Sequence, residues 1–114
     1  MPFEGKGAVM VGLDGRIAWA STYFCDLVGV EHDKIAGMSC FDFVFPEDME
    51  AAKARFEENK RPDAAPFRFR LRRVDGFEVW ADIQGTAIRP ARGEIYAISA
   101  TVTAVDSPEP LRER

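Results

Sequence analysis

Residues 67–88 constrain this chain more than any other stretch. Phe67, Phe69 and Leu71 alternate with Arg68, Arg70 and Arg72, the period-two pattern of a half-buried strand. After Val74-Asp75-Gly76 the alternation resumes, with Phe77, Val79, Ala81 and Ile83 on one face and Glu78, Trp80, Asp82 and Gln84 on the other. Asp75-Gly76 is read as supplying the positive φ angles of a tight hairpin turn. Such a hairpin needs its apolar face covered, and the first half of the chain offers the cover.

Val9, Val11 and Leu13 alternate up to Asp14-Gly15, a turn signal, and residues 16–20 return as a second strand with Ile17 and Trp19 on one face. Ser21 is placed to cap a helix and Gly29 to end it. Residues 30–44 read as short helical turns broken at Gly37, with Ile35 and Phe41 pointing inward. Pro46-Glu47-Asp48 opens a longer helix, along which Met49, Ala52 and Phe56 form the buried stripe. Residues 59–66 form a loop, Pro90 to Gly93 a turn, and residues 95–105 the last strand. Strands, then helices, then strands predict an α+β fold, a five-stranded antiparallel sheet with short helices packed over one face. The expected domain is 1–106, with residues 1–7 loose and 107–114 the start of a linker.

At 114 residues the chain makes one domain with one modest core. A formal charge of −4 argues against nucleic acid as a partner, and the arginines at 68–73 read as a solvated strand face among acids. Two cysteines, Cys25 and Cys40, lack metal-ligand spacing and are too few for a disulfide scaffold, the pattern of a reduced, cytoplasmic protein. Neither a targeting segment nor a membrane span is legible. His32, within Glu31-His32-Asp33-Lys34, reads as a solvated loop residue. Asp42, Glu47, Asp48 and Glu50 cluster where a helix begins, where negative charge is stabilised anyway. Without a nucleophile–base pairing or a phosphate-cradling loop, the chain is not read as an enzyme.

Taken in order, several motifs resemble the PAS sensory domains. Asp14-Gly15-Arg16-Ile17 is similar to that family's opening turn, Leu27-Val28-Gly29-Val30 to its "L-x-G-Y" step, and Ile35-Ala36-Gly37, Asp42 and Phe45-Pro46-Glu47-Asp48 to its "G…D…H-P-E-D" segment. Arg73-Val74-Asp75-Gly76 with Trp80 is similar to "R-K-D-G…W". Ser21 replaces the usual capping asparagine, Phe45 the usual histidine, and Ala104-Val105-Asp106 falls where the closing Asp-Ile-Thr belongs. The resemblance implies a sheet cupping short helices around a small cavity, used for sensing rather than catalysis, with a cytoplasmic output such as a kinase or cyclase.

Such cavities hold flavin, haem, a metabolite or nothing. Cys40 stands where the flavin-binding light-oxygen-voltage domains keep their reactive thiol, but Leu71, Ala81 and Val102 fall where flavin's polar partners belong, and Phe41 where its phosphate-contacting arginine belongs. Haem's histidine has no counterpart on the long helix, and Met38 and Met49 read as core. No cofactor is therefore expected. The expected lining is Val11, Leu27, Cys40, Phe45, Phe56, Phe69, Leu71, Ala81, Ile83, Ile98, Ala100 and Val102, which suits a small apolar ligand. The alternative is a structural interaction module whose core is filled by its own phenylalanines. Phe45 is expected to be buried between helices and sheet. Trp80 is expected on the outer sheet face, standing proud of Ala97, Ser99, Thr101 and Thr103, as the centre of a homodimer interface or of an interface with a separate partner segment.

Overall fold

The computed structural model describes residues 6–90 and 94–106. Strands β1 (Gly7–Gly12) and β2 (Ile17–Ala20) lead into helix α1 (Thr22–Val28). Single helical turns follow at His32–Lys34, Cys40–Phe43 and Pro46–Asp48, then helix α2 (Met49–Glu58) and strands β3 (Phe67–Arg72), β4 (Glu78–Ile88) and β5 (Ala97–Val105). The five strands form one antiparallel sheet in the order β2-β1-β5-β4-β3. The last strand thus joins the two hairpins and lies at the sheet's centre. The expected α+β architecture is observed, although β5 starts two residues later than its sequence pattern implies. Of the expected loose N-terminus (1–7), turn (90–93) and linker (107–114), residues 1–5, 91–93 and 107–114 lie outside the described residues, and Gly7, expected to be loose, begins β1.

Ser21 caps α1 through its Oγ, which accepts from the Phe24 N–H (3.3 Å) and also from Ala8 N–H on β1 (2.9 Å). Gly29 ends the helix at φ 84°, a left-handed conformation that favours glycine. Ser39 and Asp42 make a reciprocal capping box around the Cys40–Phe43 turn. The β3–β4 tip docks on α1: the Val74 N–H donates to the Val28 carbonyl (3.0 Å), and the Arg73 guanidinium to the Leu27 carbonyl (2.7 Å).

Several expectations from periodicity need correction. Met10 pairs with Trp19 and Val11 with Ile17, which leaves Ala18 as an extra, bulged residue. The bulge reverses the strand's phase, so Ile17 is buried while Trp19 is 51 % exposed on the outer face. Phe77 lies in the hairpin loop, before β4 begins, and is 71 % exposed rather than facing the helices. In that turn only Gly76 takes a positive φ; Asp75 instead accepts the Phe77 N–H on its side chain. Phe43, not Phe41, is the fully buried anchor of its turn, while Ile35 is buried as expected. Ala97, placed with the small outer-face residues, is itself buried.

The arginines are not a solvated stripe. Arg68 grips Asp82 in a bidentate pair (2.6 and 3.1 Å), and Arg72 donates to the Asp42 carbonyl. Arg70 reaches Asp48 (2.9 Å), Glu47 (3.1 Å) and Glu78 (3.4 Å). Those acids serve β3 as much as the helix start, for Asp48 makes no side-chain cap on α2.

Candidate functional site

A cavity of about 120 Å³ lies between the inner face of the sheet and α2 with the Cys40–Phe43 turn. Its sheet wall is set by register. Val9 pairs with Ala100 and Val11 with Ile98, while Val102 pairs with Ile83 and Ile83 in turn with Phe67, so apolar side chains of β1, β5, β4 and β3 share the inner face. Helix α2 contributes Ala52, Arg55 and Phe56, with its C-cap Asn59, and the Cys40–Phe43 turn contributes Cys40, Phe41 and Phe43, followed by Val44. Phe41 and Phe56 meet edge to face, their ring centres 5.5 Å apart. Arg55 holds its guanidinium carbon 4.8 Å above the Phe67 ring while pairing with Glu58 at 3.1 Å.

Nine of the residues expected to line a cavity do so: Val11, Cys40, Phe56, Phe69, Leu71, Ile83, Ile98, Ala100 and Val102. Leu27, Ala81 and Phe45 do not. Leu27 and Ala81 are fully buried in close-packed core, Leu27 at the end of α1 where the β3–β4 tip docks. Residues 44 and 45 are both extended, so their side chains point to opposite sides. Val44 takes the inward position, and Phe45 is left half-buried with the Arg70 guanidinium carbon 4.3 Å over its ring. The missed lining residues had legible signals. Val9 shares the phase of Val11, and Asn59 falls three residues beyond Phe56 and seven beyond Ala52, on the same helical stripe.

Burial pushes the Cys40 thiol up to about 12, with nearby Asp42 adding to the rise and a backbone hydrogen bond partly offsetting it. The thiol is therefore protonated and a poor nucleophile at neutral pH. Burial, then Asp26, also raises Cys25. His32 Nε2 donates to the Ala20 carbonyl (2.9 Å). Among the described residues, no group of three or more His, Cys, Asp or Glu could hold a metal ion. Trp80 lies on the outer face as expected but does not stand proud. It is half-buried beside its cross-strand partner Arg70, and its indole N–H donates to Glu78 (3.1 Å).

The sequence matches the family profile of the PAS domain over residues 6–106. The chain belongs to the PAS domain family. PAS domains are sensory signalling modules. Similar solved structures include a light-oxygen-voltage domain studied with a flavin analogue, at TM-score 0.77 and 21 % identity over 89 % of this chain and 78 % of that one. A PAS domain from Colwellia psychrerythraea superposes at 0.78 with 15 % identity over 88 % of this chain and 86 % of that one. The PAS domain of an HTR-like protein from Haloarcula marismortui gives 0.72 and 16 % over 90 % and 83 %. At these identities the likeness is one of fold. A search of curated proteins gives no match. None of the described helices is long and apolar enough to cross a membrane.

Proposed function

We propose that this PAS domain is the non-catalytic sensory module of a larger cytoplasmic signalling protein, of kinase or cyclase type, and that its signal is a small, largely apolar molecule held in the cavity. The observation that carries this reading is the cavity itself, about 120 Å³ walled almost entirely by apolar side chains. A dry apolar cavity of about 150 Å³ takes up benzene, so this one is of a size for a single small ring. A three-ring flavin or a haem would need its walls to move apart. Leu71, Phe41 and Val102 line it and offer such groups no polar side chain, and no step is assigned to either cofactor.

The route outward runs through β5. Ile98, Ala100 and Val102 line the cavity, while the intervening Ser99, Thr101 and Thr103 belong to the opposite face of the same central strand. A ligand that tightens the inner row therefore acts on the strand that presents the outer face. It would favour the ligand-competent state by mass action.

The test is a titration of the purified domain with benzene, followed by ¹H–¹⁵N NMR, with native mass spectrometry to detect any molecule retained from expression. Saturable shifts confined to the lining residues are expected. Linear, unsaturated shifts spread over the surface would sink the reading.

A second role, dimerisation, is favoured by Trp19. Its exposed ring lies on the outer sheet face across from Met10, in the same sheet as the half-buried Trp80. Tryptophan is over-represented among the residues that carry binding energy at interfaces.

A further inference from the structure

Asn59 is the one buried polar residue among those described, 7 % exposed at the end of α2. Its backbone N–H is used, donating to the Arg55 carbonyl at 3.0 Å. Its side-chain amide makes no hydrogen bond among the described residues. No sealed polar side-chain atom there lacks a partner, so the partnerless amide is within reach of a small molecule, and Asn59 lines the cavity. With no protein partner, its donor and acceptor are left for a solvent or ligand molecule to meet.

Gly85 makes the position possible. It is buried in β4, opposite Ala100 on the inner face. A Cβ built there would lie 2.5 Å from Asn59 Cγ, 2.7 Å from Nδ2 and 2.9 Å from Oδ1. The whole amide therefore lies against the bare backbone of a central strand. Glycine weakens a strand interior, and its presence there marks a close approach.

We infer that Asn59 is the polar anchor of the cavity, and that its ligand is a neutral molecule of about five to seven non-hydrogen atoms carrying one hydroxyl or carbonyl on an apolar body. This rests on the cavity being a ligand site. Neutrality follows from the lining: its one charged residue, Arg55, is already paired with Glu58 and stacked on Phe67. A single polar atom follows from there being one free amide. A buried water generally makes about three hydrogen bonds, and this wall offers it a single polar side chain with no charge to spare. The amide both donates and accepts, so it serves a hydroxyl or a carbonyl equally.

The test uses cyclopentanol and methylcyclopentane, a pair matched in shape that differs by hydroxyl against methyl. Both are titrated by NMR into wild type, Asn59→Leu and Gly85→Ala. The ratio of the two dissociation constants should move against the alcohol by at least fivefold in Asn59→Leu, and in the same direction in Gly85→Ala, where the new methyl displaces the amide. In wild type the Asn59 side-chain NH₂ signals should shift with the alcohol and not with the hydrocarbon, a readout that stands if either variant folds poorly. If both molecules bind but the ratio is unchanged and the NH₂ signals stay put, Asn59 is not the anchor and the cavity remains a ligand site. If neither binds wild type, the ligand-site reading fails, and this inference with it.

Discussion

Replacing Phe43 by alanine tests the packing from which the cavity is built. The ring is 1 % exposed and meets Phe24 edge to face, ring centres 6.0 Å apart at 85°. Phe→Ala at a fully buried site costs about 3–5 kcal/mol, the sum of lost transfer energy and the void left behind. Phe43 already borders an open cavity, so part of its contact shell is missing and the lower half of that range is expected, about 3–4 kcal/mol. For a domain near 100 residues that is a fall in Tm of about 12 °C or more. Phe45→Ala is the internal control. That ring is half-buried under Arg70, so it should cost about 1–2 kcal/mol. Urea denaturation of the wild type and both variants gives the two losses, with unchanged m-values confirming that the same transition is followed. A loss at Phe45 equal to or above that at Phe43 would refute the outward turn of residue 45. A loss under about 1 kcal/mol at Phe43 would refute the assignment of its ring to the core.

Two further outcomes are expected. The Cys40 pKa is raised by burial from 9.0 to about 12, so below pH 9 its thiol contributes no pH dependence. Between pH 9 and 12 the unfolded chain ionises this thiol and the folded one does not, so stability falls as pH rises. The stability of wild type minus that of Cys40→Ala should therefore decline over that window; a flat difference contradicts the burial. On the outer face, sedimentation equilibrium should show a wild-type dimer that Trp19→Glu or Trp80→Glu weakens at least tenfold, about 1.4 kcal/mol. A wild type that stays monomeric at high concentration ends the pairing proposal.

The strands of the long hairpin, the Ser21 and Gly29 boundaries of α1 and the α+β order were all legible in the sequence. Each is written in local chemistry: a two-residue period, a hydroxyl that caps, a glycine at positive φ. Most of the cavity's sheet wall was legible for the same reason, since residues two apart on β3 and β5 must share a face.

What the sequence did not carry were features that depend on partners distant in the chain. The extra residue at Ala18 becomes a bulge only when β2 pairs with β1, and it alone sends Trp19 outward while Ile17 goes inward. Val44 and Phe45 are both apolar, and which one faces the core is decided by where the turn meets β3, with Arg70 waiting on the outer side. The arginines of β3 read as solvated until Asp82, Asp48 and Glu47 come within reach. Asn59 reads only as the first residue of a loop until the sheet folds over α2 and lays the amide on the bare backbone of Gly85. Periodicity and capping fix which way a residue points within its own element. Which side chains share one cavity is fixed only by packing elements against each other, because close-packed side chains leave a void at few places and the void belongs to all its walls at once.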